Sequence, residues 1–207
     1  MTIIEQMLEG FTLESLEDEK NAIKEIMQEV TLAGLARTDF FKHAAFYGGT
    51  ALRIFYGLNR FSEDLDFTLL SPNENFDIKK YIPAVRDAVE ALGLEFEVKE
   101  KEKNIDSTIK SGFLKGNTKE QFLIFYPNSK HMDQINKNEK VRIKFEVDIY
   151  PPKYATTVFE YRLRPNNYQV QVYDKPSLFA GKIHAVLARK WKSRVKGRDF
   201  YDYVYYL

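Results

Sequence analysis

The amino-acid sequence predicts an α+β fold in which strands and helices are interleaved and the C-terminal segment is helical. Three observations carry this. Asp64–Leu70 and Val141–Tyr150 alternate apolar and polar residues, the period of a strand with one buried face. Residues 13–36 and Asp77–Leu92 repeat apolar residues at helical spacing. Leu178–Trp191 and Asp199–Tyr206 read as two further helices behind the last strands.

In chain order, residues 13–36 place Leu16, Ile23, Ile26, Met27 and Val30 on one helix face. Ala44–Tyr47 is a short buried strand, and the Gly48-Gly49 turn opens a helix over Thr50–Tyr56. In the strand Asp64–Leu70, Leu65, Phe67 and Leu69 oppose Asp64, Asp66 and Thr68. Ile78, Ile82, Val85 and Val89 form the inner face of the helix Asp77–Leu92, which stops at Gly93. Leu94–Lys99 and Phe122–Tyr126 read as strands, and residues 103–118 and 127–139 as loops. Val141, Ile143, Phe145, Val147 and Ile149 share the inner face of the next strand, with Arg142, Lys144, Glu146 and Asp148 on the other. Val158–Arg164 and Gln169–Tyr173 pair around Asn166-Asn167. No linker marks a clean boundary. The expected division is a core over residues 1–174 with an N-terminal helix, and a C-terminal helical segment over 175–207 packed on it.

Composition bounds the function. The 207 residues are 44% hydrophobic and 29% charged, with a net charge of +1, which fits one globular unit. Cysteine is absent, so there is no disulfide framework and no thiolate metal site. No stretch has the roughly 18 apolar residues of a membrane span, and the N-terminus lacks the pattern of a signal peptide. The expectation is a cytoplasmic protein with no membrane partner. Charge is unevenly spread: residues 1–30 hold eight acids and two lysines, whereas residues 176–198 hold seven Lys or Arg and no acid. His43, His131 and His184 share no zinc-ligand spacing, and there is no P-loop motif.

Two features point to chemistry. Asp64 and Asp66 lie two apart on a strand, so both carboxylates face one way and can hold a divalent cation. The helix after Gly48-Gly49-Thr50 offers free backbone N–H groups and a positive dipole end, which suit a phosphate. Phosphate beside paired carboxylates indicates metal-assisted phosphoryl or nucleotidyl transfer. Lys182 and Arg189, seven apart on a helix, project from nearly one face about 10.5 Å apart along the axis and can grip a polyphosphate or a nucleic-acid backbone.

The run GGTALRIFYGLNRFSEDLDF resembles the nucleotidyltransferase superfamily, whose signature is Gly-Gly/Ser, a spacer, then Asp-x-Asp. Arg60-Phe61-Ser62-x-Asp64-Leu65-Asp66 is most similar to the AbiEii/AbiGii toxins of type IV toxin–antitoxin systems. A second block, Lys175-Pro176…Lys182-Ile183…Arg189…Arg198-Asp199…Asp202, matches in order. The resemblance implies a nucleotidyltransferase fold, a mixed twisted sheet with flanking helices followed by C-terminal helices. It implies Mg²⁺ or Mn²⁺ held by Asp64, Asp66 and a third carboxylate from a later strand, with Asp148 the best match and Glu146 in reserve. Two ions about 3.5–4 Å apart need such a shared set, and three bare acids would otherwise repel.

The same resemblance assigns Gly48, Gly49, Thr50, Arg60, Ser62, Lys182 and Arg189 to the nucleotide, and places Lys182, Asp199 and Asp202 in the site. Asp199 is there a base or an orienter of Lys182 or Arg189; a cap on its own helix is the alternative. Lys192, Arg194, Lys196 and Arg198 form the RNA-facing basic link, with Trp191 and Tyr201 beside it as core or as stacking rings. The implied reaction moves NMP from an NTP to an acceptor, foremost the 3′ end of tRNA, blocking translation under control of a cognate antitoxin. A protein or small-molecule acceptor, or an inert nucleotide-binding module, are the alternatives. Larger members carry further helices after the Arg-Asp-x-x-Asp helix, so the aromatic run Tyr201–Tyr206 is expected to be uncovered and open to self-association.

Overall fold

The structure, a computed structural model, describes residues 1–100, 118–126, 141–188 and 197–206. Its centre is a seven-stranded mixed sheet made of β1 (Ala44–Tyr47), β2 (Leu65–Leu69), β3 (Glu95–Glu100), β4 (Thr118–Tyr126), β5 (Val141–Asp148), β6 (Thr157–Arg162) and β7 (Tyr168–Tyr173). The order across the sheet is β3-β4-β5-β2-β1-β7-β6. β2 runs antiparallel to β1 and parallel to β5, and β1 runs parallel to β7; the outer pairings are antiparallel.

Register fixes the two faces. Phe46 pairs with Phe67, and Phe67 with Val147, so the apolar residues of three central strands share one face. There Phe40, Phe46, Phe67 and Phe145 are almost fully buried; the Phe67 ring lies 5.0 Å from both Phe40 and Phe145, edge-on to each. Burying one such side chain contributes about 1.5–3 kcal/mol. By alternation Tyr47, Asp66, Thr68, Glu146 and Asp148 belong to the opposite face.

α2 (Leu16–Ala36) crosses the apolar face and packs on β5, β7 and α5 (Ile82–Glu90). Ser15 caps it, its hydroxyl accepting from the Asp18 N–H at 3.1 Å. Ile23, Ile26, Met27 and Val30 are buried as expected, but Leu16, the first residue of the helix, is exposed. Burial continues through Leu32 and Leu35 and takes in Glu25, Gln28 and Glu29. The two acids are paired: Glu25 accepts from Arg53 at 2.9 Å, and Glu29 from Arg162 at 2.8 and 3.0 Å and from the Tyr168 hydroxyl. A preceding helix, α1 (Ile3–Leu8), is closed by a capping box between Thr2 and Glu5.

The helix expected over Asp77–Leu92 is divided. Ile78–Tyr81 forms a 3₁₀ turn and α5 begins at Ile82. Pro83 lacks an N–H and its ring would clash with a carbonyl one turn back, so it is tolerated only in the first turn. α3 (Phe40–His43) leads into β1, and α4 (Gly48–Tyr56) follows it and packs on β1 and β2. α6 (Lys175–Ala188) packs on α4 and on α7 (Arg198–Tyr205). Among the described residues no helix is long and apolar enough to cross a membrane.

Candidate active site

The Gly48-Gly49 turn decides how close α4 comes to the aspartates. Gly48 has φ +86°, and a Cβ there would stand 2.6 Å from Asp66 Oδ2. A Cβ on Gly49 would stand 2.8 Å from Ser62 Oγ and 3.0 Å from an Arg60 guanidinium nitrogen. Only glycine combines that backbone with that proximity. Tyr47, the N-cap, supplies no side chain to the first turn of α4. The positive end of the helix therefore faces a carboxylate directly. Thr50 is buried, and its hydroxyl donates to the Asp64 carbonyl at 2.5 Å, tying the helix to the start of β2.

Asp66 is half-buried by exposure, yet withdrawn enough from water that desolvation, and then the charges of Asp64 and Glu146, push its carboxyl up to about 7; Lys144 and Lys182 oppose the rise. Asp64 stands just before β2 and is also raised, first by desolvation, with Lys144 and Arg198 pulling the other way. Lys144 and Glu146 form an ion pair on the same face of β5. Tyr47 closes the group: burial, then Asp66, Asp148 and Glu146, push its phenol up.

The register separates the two candidates for a third carboxylate. Glu146 is the Cα partner of Asp66, whereas Asp148 is the partner of Thr68, one pleat farther along. Asp148 is the last residue of β5 and turns onto its own chain, accepting from the Tyr150 N–H at 2.9 Å. Its carboxyl is raised by burial, with the Tyr150 bond opposing. Among the described residues no three acids already form a tight metal cluster. The donor set of Asp64, Asp66 and Glu146 nonetheless fits a hard divalent cation: the ligands are all oxygen, and the half-buried Asp66 carboxylate has neighbouring acids that its nearby lysines do not fully offset.

A second network lies beside the first. Asp202 is fully buried on α7 and accepts from Arg60 Nε and Nη2, both at 2.7 Å, and from Lys182 Nζ at 2.6 Å. Asp199, also buried, stands 3.7 Å from Lys182. Burial pushes Asp202 up, but the bonds and charges of Arg60 and Lys182 outweigh it, and its carboxyl lies below the usual range. Lys182, paired with the α7 acids, is also one of the charges that oppose the rise of Asp66. Arg198 pairs with Glu63 at 3.5 Å. Tyr201 is half-exposed.

The structure brings together Gly48, Gly49, Arg60, Ser62, Asp64, Asp66, Lys182, Asp199 and Asp202. It sets Asp148 one pleat away. Arg189, Trp191, Lys192, Arg194 and Lys196 lie outside the described residues. Sequence reasoning did not find Tyr47, which reaches the acids only through its pairing with Asp66, or Gln28, whose amide donates to the Ser62 carbonyl at 3.0 Å and supports the loop before Asp64. Lys144 carried a signal, its alternation with Glu146.

A family model described as nucleotidyl transferase AbiEii toxin, type IV TA system, matches residues 30–207. Two solved structures from Helicobacter pylori are similar: JHP933, at 20% identity and TM-score 0.58, covering 90% of this chain and 66% of that one, and a protein described as a candidate nucleotidyltransferase, at 20% identity and TM-score 0.57, covering 89% and 66%. This chain therefore spans just under two thirds of either neighbour's length, and at this identity the likeness shows the fold. No curated protein matches.

Proposed function

This chain belongs to the AbiEii nucleotidyl transferase toxin family of type IV toxin–antitoxin systems, and from that premise we propose that it transfers NMP from an NTP to the 3′ end of a tRNA, as a toxin that an antitoxin restrains. The observation that carries the reading is Asp66, set against the N-terminus of α4 with Asp64 and Glu146 on the same sheet face. In the reaction an acceptor hydroxyl oxygen bonds to the α-phosphorus as the bond to the β-phosphate oxygen breaks. Pyrophosphate leaves, and the hydroxyl proton passes to the carboxylate group. Asp64, Asp66 and Glu146 would hold Mg²⁺ or Mn²⁺, which when bound supplies charge neutralisation for the triphosphate and a more acidic acceptor hydroxyl.

The remaining steps belong to the chain's own groups. The α4 N-terminus and Lys182 hold phosphate oxygens, and Arg60, fixed by Asp202, lies close beside Gly49. Asp199 and Asp202 position Lys182 so that it approaches the phosphates without drifting into solvent. The exposed Phe200 and Val204 on α7 favour self-association there.

Incubation with each α-labelled NTP, Mg²⁺ and total tRNA tests the proposal. Label is expected in tRNA with wild-type protein, and none with Asp66→Asn, a near-isosteric change that leaves melting intact. Absence of label with every NTP, or full labelling by Asp66→Asn, refutes it.

A further inference from the structure

The sheet face that carries Asp66 continues, past β1 and β7, to the outer strand β6. The rows can be followed in register. Thr68 pairs with Ala45, Phe46 with Val172, and Gln171 with Phe159. Phe159 and Tyr161 therefore share the face of the carboxylates, beside Gln171 and Gln169 of β7. Strands about 4.8 Å apart put Phe159 about 16 Å and Tyr161 about 20 Å from Asp66.

This lane has an unusual surface. Phe159 is 55% and Tyr161 68% exposed, whereas on the opposite face of the neighbouring β7 Tyr168, Val170 and Val172 are buried. The Tyr161 hydroxyl is bonded by the Gln169 amide, which holds the ring in place, and Gln171 Nε2 donates to Thr157 Oγ1 at 2.8 Å. Nearer the carboxylates, on the same face, the Tyr47 and Tyr173 rings approach to 5.6 Å, with Tyr173 buried and Tyr47 partly so; the exposed rings are those of Phe159 and Tyr161 at the edge. Between Asp66 and the edge, the residues on this face of β1, β7 and β6 include no acid; Glu160 and Arg162 point to the other face, where Arg162 binds Glu29.

We propose that Phe159 and Tyr161 form a stacking platform for unpaired bases of a single-stranded nucleic-acid acceptor whose end lies at Asp66; the inference rests on the transferase reading above. Flat exposed rings stack on any base, the usual device of single-strand sites. The acid-free lane lets a polyanion cross without repulsion. With their amide nitrogens engaged by Tyr161 and Thr157, Gln169 and Gln171 offer carbonyl oxygens that suit base edges, which carry hydrogen-bond donors, whereas an apolar protein surface would offer those oxygens no donor.

The test is Phe159→Ala, Tyr161→Ala and the double variant, with Phe159→Tyr and Tyr161→Phe as conservative controls and thermal melting to confirm the fold. The probe is a single-stranded RNA containing 2-aminopurine near its 3′ end, titrated without NTP or metal, beside an abasic RNA of the same length. The expected result is quenching by wild type and both controls. Affinity should fall by roughly ten- to hundred-fold for each ring lost, with little difference between wild type and variants on abasic RNA. NTP binding by calorimetry should not change. Equal RNA affinity in wild type and the double variant overturns the platform, as does loss of binding on abasic RNA equal to that on the intact strand. A wild-type dimer that the double variant converts to monomer also overturns it, because the face is then an interface between copies. Failure of the transferase reading appears separately, as absent NTP incorporation by wild type.

Discussion

Asp202→Asn is the sharpest perturbation available to this fold. Asp202 has no exposed surface, accepts two bonds of 2.7 Å from Arg60 and contacts Lys182 at 2.6 Å. The side chains of Arg60 and Lys182 are only 17% and 13% exposed. Removing the carboxylate charge leaves two largely buried cations, with Asp199 at 3.7 Å as the remaining acid beside Lys182. Breaking a buried pair from one side costs about 3–5 kcal/mol. Asparagine keeps the shape and one acceptor, so the low end, about 3 kcal/mol, applies. For a domain of this size that lowers Tm by about 6–12 °C.

The pH dependence has a definite sign. The folded-state pKa of Asp202 is depressed, so its contribution is fully present above the unfolded value near about 4 and is lost as pH falls through the lower folded value. The gap in Tm between wild type and Asp202→Asn, measured by calorimetry, should be wide at pH 7 and shrink below about pH 4. A double-mutant cycle with Arg60→Gln should show coupling well above about 0.5 kcal/mol. A Tm within about 2 °C of wild type at pH 7 would refute the reasoning, since it would mean that neither cation depends on Asp202.

Two further outcomes rest on the site's geometry and a third on the basic sequence between α6 and α7. Glu146→Gln should reduce transfer by roughly a hundredfold or more, and Asp148→Asn by less, in initial-rate assays; the reverse order would return the third-carboxylate role to Asp148. Gly48→Ala should cost about 1–3 kcal/mol in urea unfolding and suppress transfer, because its φ of +86° and the 2.6 Å approach to Asp66 admit no Cβ; an unchanged midpoint with full activity would contradict this. If Lys192, Arg194, Lys196 and one further cation contact tRNA, log K should fall with log salt at a slope near about −3, and charge reversal of the three named residues should flatten it while NTP binding holds; a salt-independent affinity would remove RNA from that segment.

Much of the site is legible in the sequence. The period of two in Asp64–Leu70 and Val141–Tyr150 marks both strands and their apolar faces, although on β2 Thr68, beside Asp66 on the other face, is buried too. The Gly48-Gly49 pair marks a turn that needs an unusual backbone at a helix start. Lys182, Asp199 and Asp202 stand out by order and spacing, although their ion pairs do not.

Relations between distant segments were decided by the tertiary structure alone. Alternation places Glu146 and Asp148 on one face equally; the pairing of β2 with β5 selects Glu146 as the neighbour of Asp66, and strand register is a property of two strands together. Arg60 meets Asp202 across 142 positions of chain, and Gln28 meets Ser62 across 34, encounters that helix packing creates and no local pattern encodes. The helical spacing of α2 gives no sign that Glu25 and Glu29 are buried; they are accommodated because Arg53 and Arg162, from distant segments, pair with them. The same holds for Asp66: its type and position are written in the chain, but its pKa near 7 comes from burial and from the acids folded around it, because desolvation and charge proximity exist only once the molecule is assembled.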